Sequence, residues 1–440
     1  MTADIEGAKA ALSHLDIEQS PAGIKAASRD FFWYSPVLKK HMDHLEADFV
    51  VRPRTEAEVI EILKVCYAHD VPVTTRGAGT GNYGQAMPME GGCVMHLRHM
   101  TAVKEILPGR VIVEPGCLLQ DLDAATIAHS GQELRMFSST WATATIGGFI
   151  AGGSGGVGSV RWGSLRDLGN IIRLRVVTME EEPRVLEFTG EELARVSHAY
   201  GTNGIITEIE MPLAPSYDWT DIFVTFEDFG EAMAFADDIA CEDGILIKIS
   251  SVYEAPTAHE YFPRVKPHVS PGDHLVGLMV APQSMDGFLT FLARRPKAKL
   301  IYRSDASTWE RGPGKVFEYG WNHTTLRALR VDPSITYLQV RYAFPDHRAL
   351  VEKIRAKFSP EILQHLEAIR GGGKVNFAGL TLVKFTTGRR ADLQPAPLHA
   401  GRRRPPDDRR HPAGLQARGR SEGPSEPRQD DRVGRSGLLL

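Results

Sequence analysis

One stretch constrains the fold of this 440-residue chain more than any other: VPVTTRGAGTGNYGQAMP, residues 71–88. Its first residues are β-branched, which favours a strand, and they lead into a loop with glycine at positions 77, 79, 81 and 84. Glycine permits positive φ angles and lets backbone N–H groups approach another group closely. A row of such N–H groups forms a concave site for an anion such as a pyrophosphate, and Arg76 adds positive charge at its edge.

The same loop also fits a different motif. Gly79, Gly81 and Gly84 have the spacing G-x-G-x-x-G of a dinucleotide-binding turn, which would predict a nicotinamide dehydrogenase. That turn needs a helix whose N-terminus faces the pyrophosphate, whereas this loop runs into Pro88 and further glycines, which break a helix. The apolar run CVMHL that follows predicts a second strand. We therefore expect a strand, a glycine loop and another strand, with the nicotinamide turn and a plain surface loop as alternatives.

The stretch resembles the pyrophosphate loop of vanillyl-alcohol-oxidase type flavoproteins, the PCMH-type FAD-binding family of glycolate oxidase and D-lactate dehydrogenase. The resemblance is good over residues 45–215 and looser over the next ~170 residues. It implies an α+β fold, with a two-subdomain FAD-binding PCMH-type domain followed by a ferredoxin-like α+β cap. It also implies an FAD-dependent oxidoreductase that oxidises an alcohol or a 2-hydroxy acid by hydride transfer to FAD.

Changes of pattern along the chain predict four segments. Residues 1–45 are expected to form a helical lead-in with an aromatic patch, and residues 46–216 the FAD-binding domain. Residues 217–386 alternate strands and helices and are expected to form the substrate cap, while residues 387–440 form an Arg- and Pro-rich tail.

Two helix ends can be read directly from the sequence. Thr55 is expected to cap the helix EAEVIEILKVCYAHD, with Glu58 as its capping-box partner. Gly131 is expected to end a later amphipathic helix that follows the turn at Pro115.

A second glycine-rich segment spans residues 137–178, and small residues there would let the backbone lie against a flat polar molecule. In the family this segment and a turn near residue 204 surround the flavin. Histidine-linked members carry His at the position of Thr80, so we expect FAD to be bound non-covalently. The resemblance assigns cofactor contacts to Arg76, Gly77, Ala78, Gly79, Thr80, Gly81, Asn82, Ser139, Thr140, Thr145, Gly147, Gly148, Gly156, Gly158, Ser159, Gly204 and Ile206.

The catalytic candidates lie in the expected cap. Oxidation of an alcohol by a flavin needs a base for the hydroxyl proton, and His323 is our first candidate, with Asn322 as a hydrogen-bonding neighbour. Arg341 would bind a substrate carboxylate bidentately, and Lys248 is a similar candidate. The alternatives are a surface or capping histidine and basic residues that merely lie on a sheet face.

Composition excludes several other classes of protein. A net charge of −4 gives no reason to expect nucleic acid as a partner, and no apolar run is long enough to span a membrane. The N-terminus lacks the pattern of a signal peptide, and four scattered cysteines suggest reduced thiols, so we expect a cytoplasmic protein. The cysteines lack metal-ligand spacing. The metal-using hydroxy-acid members of the family carry a paired-His motif late in the cap, which has no equivalent here before the tail, so no metal site is expected and an assignment to glycolate or lactate is weakened. The expected partners are a small-molecule substrate and an unidentified electron acceptor, with a homodimer left open.

The tail has a different chemistry from the rest of the chain. Residues 388–440 hold twelve Arg and one Val but no Lys, Ile, Met, Phe, Tyr, Trp or Cys, which predicts disorder. A basic nucleic-acid arm is one interpretation. We favour a shift of the translational reading frame near residue 387. The codons permitted for residues 415–434, read one base out of frame, allow DPKGLLNPGK, which resembles the C-terminal signature of the same flavoproteins. A chain altered in this way would be a flavin-binding protein without activity.

Overall fold

The computed structural model describes residues 3–153 and 155–385, which are organised around three β-sheets. The tail, and with it the reading-frame hypothesis, lies outside the described residues. The boundaries of the four predicted segments remain predictions. Among the described residues, no helix is both long and apolar enough to cross a bilayer.

The helices are short, and most of them are capped by a polar side chain or end at a small residue. They are α1 (Ile5–Ala11), α2 (Pro21–Ala27), α3 (Pro36–Met42), α4 (Glu56–Ala68), α5 (Leu119–Ser130), α6 (Ile146–Gly152), α7 (Ser159–Trp162), α8 (Phe229–Cys241), α9 (Thr257–Tyr261), α10 (Met285–Ala293), α11 (Asn322–Val331) and α12 (His347–Phe358).

The strands fall into three groups along the sequence. They are β1 (Ile17–Glu18), β2 (Phe49–Val51), β3 (Val73–Arg76), β4 (Cys93–His96), β5 (Val103–Leu107), β6 (Arg110–Val113), β7 (Gln132–Leu134), β8 (Arg173–Val177), β9 (Val185–Thr189), β10 (Ile205–Pro215), β11 (Thr220–Phe226), β12 (Ile247–Tyr253), β13 (His274–Val280), β14 (Lys299–Arg303), β15 (Ile335–Tyr342), β16 (Ile362–Leu363), β17 (His365–Gly371) and β18 (Lys374–Lys384).

The first sheet has the order β1-β2-β4-β3 and places the glycine loop at its edge. Both β2 and β3 run parallel to β4. Along the chain, α4 connects β2 to β3, and the glycine loop connects β3 to β4. One face of α4 buries Val59, Ile62, Leu63 and Cys66 against this sheet. The segment before residue 46 is more than a helical lead-in, because β1 pairs with β2.

The second sheet has the order β5-β6-β10-β8-β9, and β7 pairs with the far end of β10. Its strands are antiparallel, and the long strand β10 lies at its centre, where it pairs with β6, β7 and β8. Helices α5 and α6 pack against it through apolar side chains such as Leu122 and Ile150.

The third sheet is antiparallel, with the order β14-β11-β13-β12-β17-β18-β15. One face packs on α8, α10 and α12 through residues such as Phe235, Phe288 and Val351. The opposite face carries Phe223, Ile249 and Tyr253, which share a core with the second sheet. This second face brings α11 and β15 towards the glycine loop.

The local signals for helix ends are confirmed. The Thr55 hydroxyl accepts the N–H of Glu58 at 3.2 Å, and α5 ends at Gly131 with a left-handed φ of 62°. One detail differs, since the Glu58 carboxylate accepts the N–H of Arg54 rather than that of Thr55, one residue short of a capping box.

Candidate cofactor and substrate site

All three sheets contribute to the wall of one cavity of about 440 Å³. This volume is within the usual range for small-molecule and cofactor sites. The glycine loop forms one side, and residues around α6 and the start of β10 form another. Trp321 and Asn322 at the start of α11, with Gln339 of β15, form the remaining side. Of the residues proposed from the sequence, the wall contains Arg76, Gly77, Ala78, Gly79, Thr80, Gly81, Asn82, Thr140, Thr145, Gly147, Gly148, Gly204, Ile206 and Asn322.

The glycine loop connects two parallel strands without an intervening helix. Gly79 and Gly84 adopt positive φ angles of 69° and 79°. Within the described residues, the backbone N–H groups of residues 78–82 donate no hydrogen bond to another protein group. They are therefore free to bind an anion, and the strand–loop–strand geometry differs from the strand-to-helix turn that the nicotinamide alternative requires.

A second set of small residues faces this loop. The Thr145 hydroxyl caps α6 by accepting the N–H of Gly148 at 3.1 Å. A Cβ atom on Gly148 would lie 3.0 Å from this hydroxyl and 3.9 Å from the Cα of Gly77. A side chain at either glycine would fill the space between the loop and α6, so the two backbones together form a narrow cradle.

The N-terminal segment is hydrogen-bonded to the glycine loop. The N–H of Phe31 donates to the Gly81 carbonyl at 2.7 Å, and Arg76 Nη1 donates to the Arg29 carbonyl at 2.6 Å. Asp30 accepts the N–H groups of Phe32 and of residue 86. Burial raises the pKa of Asp30 and lowers that of Arg76, while the attraction between the two charges opposes both shifts. Arg76 thus supports the loop in addition to lining the cavity.

His96 lies beside this loop at the end of β4 and makes the site sensitive to acid. Burial, followed by the charges of Arg76, Arg98 and Arg52, lowers the pKa of His96 from 6.5 to about 3. The folded protein therefore keeps this imidazole neutral over a pH range in which the unfolded chain would protonate it.

We expect His96→Gln to reduce the loss of stability in acid. The lowered folded pKa means that His96 costs the parent protein stability as the pH falls below about 6.5, by up to about 2 kcal/mol at pH ~5. Chemical denaturation at pH ~7 and pH ~5 should show a smaller drop for the variant than for the parent. The exposed His129 provides a control as His129→Gln. Equal pH dependence of the parent and His96→Gln would contradict this account.

The structure does not bring four of the proposed cofactor residues to the cavity wall: Ser139, Gly156, Gly158 and Ser159. The Ser159 hydroxyl is buried and accepts the N–H of Gly156 at 3.0 Å. Gly158 has a φ of 100°, and its N–H donates to the Lys248 carbonyl at 2.8 Å. Ser139 is buried between two residues that do line the cavity. Their small size allows protein segments to approach one another closely, rather than a cofactor.

The catalytic candidates are separated by the geometry of α11. Asn322 lies in the cavity wall but His323 does not, because successive residues of a helix point about 100° apart. Burial and the charges of Arg327 and Arg330 lower the pKa of His323 to about 4. Its position therefore does not support the role of base.

The basic candidates also differ from one another. Arg341 is outside the wall but lies two residues from Gln339, so both side chains are on the same face of β15. The Arg341 side chain is exposed, lies next to Gly371, and makes no hydrogen bond or ion pair within the described residues. Lys248 is instead buried against Glu133, with Nζ and Oε1 2.7 Å apart.

Several residues of the wall were not proposed from the sequence. Trp321 immediately precedes α11 and Gln339 lies in β15, while His198 and Tyr200 belong to the loop before β10 and form a 3.0 Å hydrogen bond. Gln339 could have been proposed from the sequence, because alternate residues of a strand share a face and it lies two positions before the candidate Arg341. Among residues 3–153 and 155–385, no group of His, Cys, Asp and Glu side chains forms a candidate metal site.

Comparison with known proteins identifies the domain that forms much of the cavity wall. Residues 47–186 match the family described as "FAD binding domain". This segment is an FAD-binding domain. It includes the glycine loop and α6, and the free N–H groups of residues 78–82 and the cradle at Gly77 and Gly148 have the chemistry that the pyrophosphate of FAD requires. These residues, with the loop before β10, would hold the cofactor.

The relatives that match this part of the chain include an FAD-linked oxidoreductase, an oxidase subunit and a dehydrogenase. An uncharacterised FAD-linked oxidoreductase of Mycobacterium tuberculosis is 32% identical over 199 residues, 42% of each chain. The glycolate oxidase subunit GlcD of Bacillus subtilis is 33% identical over 180 residues, 38% of this chain and 37% of the relative. The D-lactate dehydrogenase of Archaeoglobus fulgidus is 31% identical over 209 residues, 43% and 44% of the two chains. The similarity thus spans less than half the length of these relatives.

Solved structures resemble the fold over a larger part of the chain. An alkyldihydroxyacetonephosphate synthase has a TM-score of 0.64 at 15% identity, covering 84% of this chain and 75% of the other. The 4-ethylphenol oxidase from Gulosibacter chungangensis has a TM-score of 0.59 at 14% identity, covering 87% and 82%. At this level of identity the likeness concerns the fold, which is the α+β architecture of PCMH-type FAD oxidases.

Proposed function

We propose that the protein is an FAD-dependent oxidoreductase that oxidises an alcohol or a 2-hydroxy acid by hydride transfer to non-covalently bound FAD. The main support is a pair of polar atoms on two residues that line the FAD-binding cavity. Asn322 Oδ1 and Trp321 Nε1 are both buried and have no hydrogen-bond partner within the described residues. Such atoms are costly unless a ligand satisfies them. An acceptor and a donor together suit a substrate hydroxyl.

The chemistry is divided between the cofactor and the protein. When bound, FAD would supply the acceptor for the hydride that leaves the substrate carbon, and the hydroxyl proton would be released to water. Asn322 Oδ1 would accept the hydrogen bond of the substrate hydroxyl and so orient its carbon. Arg341, which is exposed and unpaired on the same strand face as Gln339, would bind the carboxylate of a hydroxy acid. The names of the relatives glycolate oxidase and D-lactate dehydrogenase agree with this choice of substrate.

Non-covalent binding rests on the residue at the tip of the glycine loop. Thr80 occupies the position at which histidine-linked members of the family carry their attachment residue. Acid denaturation should therefore release the yellow cofactor from the polypeptide, whereas colour retained by the precipitated protein would contradict this part of the proposal.

The test is anaerobic mixing of the purified yellow protein with matched pairs of substrates, each a 2-hydroxy acid and its neutral alcohol. We expect the visible flavin absorption to bleach with at least one member of a pair. If hydroxy acids are the substrates, Arg341→Met should raise their KM about 10- to 100-fold, because two charge-assisted hydrogen bonds are lost. The KM of a neutral alcohol should not change.

Arg294→Met is the matched control, since Arg294 is an exposed arginine after α10, on the helix-covered side of the third sheet. An equal effect of the two variants would exclude a specific role for Arg341. A flavin that dithionite reduces but no alcohol or hydroxy acid bleaches would favour the alternative of a flavin-binding protein without turnover. A cytoplasmic location and a homodimeric assembly are further parts of the proposal, which cell fractionation and light scattering would check.

A further inference from the structure

Trp321 adopts a backbone conformation that a bulky residue rarely takes. Its φ is 50° and its ψ is −138°, immediately before the first turn of α11. Residues other than glycine avoid positive φ because the side chain crowds the backbone, and such strain persists only where the surroundings enforce it. An interaction must therefore hold this residue in place.

Glu367 supplies that interaction. Its Oε1 accepts the backbone N–H of Trp321 at 2.6 Å. The approach is so close that a Cβ atom on Gly320 would lie only 2.7 Å from the same oxygen. The glycine at position 320 therefore allows the buried carboxylate to reach the strained peptide directly.

The carboxylate is itself held by other buried groups of the third sheet. Glu367 Oε2 accepts the Ser251 hydroxyl at 2.6 Å, and Oε1 accepts His365 Nε2 at 2.9 Å. The imidazole of His365 stacks on Tyr253, with ring centres 5.0 Å apart and planes at 14°. Glu367 and His365 are 1% and 0% exposed, so neither is free to change its position. Rotation of the carboxylate would break all three bonds at once.

The strained residue and its neighbour are the part of this segment that faces the cavity. Trp321 and Asn322 line the wall, and the Trp321 ring lies next to Gly155 on the opposite side. Each of them carries one of the unpartnered polar atoms that support the proposed function. The direction of both side chains depends on the φ angle of Trp321.

We propose that Glu367 is a positioning residue, which fixes Trp321 and Asn322 against the ligand in the FAD-binding cavity. The proposal rests on the proposed function only in taking this cavity as the flavin site. Glu367 does not line the cavity, so its effect must pass through Trp321. A role of this kind predicts that a change at Glu367 loses its effect on ligand binding once Trp321 is replaced.

The test is a double-mutant cycle read out as the FAD dissociation constant of the apoprotein, measured by flavin fluorescence. We expect Glu367→Met to raise this constant about tenfold, because the side chains of Trp321 and Asn322 lose their fixed direction. In a Trp321→Gly background, where glycine tolerates the same φ without support, the change at Glu367 should have less than about a twofold effect. Glu367→Gln keeps one acceptor oxygen and should retain most of the FAD affinity of the parent protein.

Two further variants separate positioning from stability. Glu254 is also buried and accepts a backbone N–H, that of Gln364 at 2.8 Å, but it is paired with α12 on the other side of the sheet. Glu254→Met should lower the thermal stability without changing FAD affinity. Gly320→Ala disturbs the same contact from the other partner and should weaken FAD binding as Glu367→Met does, which keeps the test available if Glu367→Met does not fold.

Equal effects of Glu367→Met in both backgrounds would overturn the proposal, and so would an unchanged FAD dissociation constant in Glu367→Met or Gly320→Ala. Absence of turnover with every substrate would contradict the proposed function but leave this inference intact, because its readout is FAD affinity alone.

Discussion

Replacement of Gly79 by alanine is expected to weaken FAD binding about 30-fold or more. Gly79 has a φ of 69°, a conformation that costs an L-residue roughly 1–2 kcal/mol. The added Cβ would also overlap the guanidinium of Arg76, which is buried and bonded to the Arg29 carbonyl. Relief of such overpacking costs about another 1–3 kcal/mol. If the N–H groups of the loop bind the cofactor, as we propose, displacement of the loop should appear as lost affinity.

Gly109→Ala is the matched control for this prediction. Gly109 lies in the turn between β5 and β6 with a φ of 78°, but no atom lies within 4 Å of its added Cβ. The Gly109→Ala variant should therefore have a backbone strain similar to that of Gly79→Ala but an unchanged FAD affinity. Titration of both apoproteins with FAD, with a thermal melt of each, makes the comparison. Equal affinity of the Gly79 and Gly109 variants would contradict the role of the loop.

Replacement of Lys248 by methionine is expected to destabilise the protein by about 3–5 kcal/mol. Its ammonium lies 2.7 Å from Glu133 Oε1 and 3.2 Å from the Leu134 carbonyl, and it connects β12 of the third sheet to β7 beside the second. Lys248 and Glu133 are each 5% exposed, and Trp219 Nε1 donates to both Glu133 oxygens at 3.1 Å. Loss of the lysine leaves a buried carboxylate without its cation, and burial raises the pKa of that carboxyl.

An exposed ion pair of equal length gives the control. Lys64 Nζ and Glu182 Oε1 are also 2.7 Å apart, but their side chains are 52% and 77% exposed. Lys64→Met should therefore cost only about 0–1 kcal/mol in urea denaturation. Removing both charges, in Lys248→Met with Glu133→Leu, should recover most of the lost stability, because two apolar side chains pack where the pair lay. Equal costs for Lys248→Met and Lys64→Met would refute the argument.

Comparison of individual residues shows how far sequence reasoning extends. The cap at Thr55, the end of α5 at Gly131 and the strand–loop–strand at residues 71–96 depend on neighbours within a few positions, and all three are present. Three of the four glycines of the loop, Gly77, Gly79 and Gly81, line the same cavity. Short-range geometry and the intrinsic freedom of glycine are sufficient to predict features of this kind.

The third sheet shows where that reasoning ends. A histidine in the run WNHTT is an obvious base, yet the start of α11 turns Asn322 towards the cavity and His323 away from it. Lys248 carries a positive charge that could bind a substrate carboxylate, but folding places Glu133 against it from 115 positions away in the chain. The aromatic patch is divided too, since Phe32 and Tyr34 are buried while Trp33 is 38% exposed.

The sequence by itself determined the strand–loop–strand around the glycines, because this depends on local backbone freedom, and its resemblance to a flavoprotein family predicted the class of fold and the kind of cofactor. Only the tertiary structure decided which side chains meet around the cavity. It brought the N-terminal segment behind the loop, joined Glu367 to Trp321, and left Ser159 and Gly158 in protein contacts. The physical reason is that a side chain's direction follows from helix phase and strand register, and its partners come from distant parts of the chain, so neither can be read from a residue's neighbours in sequence.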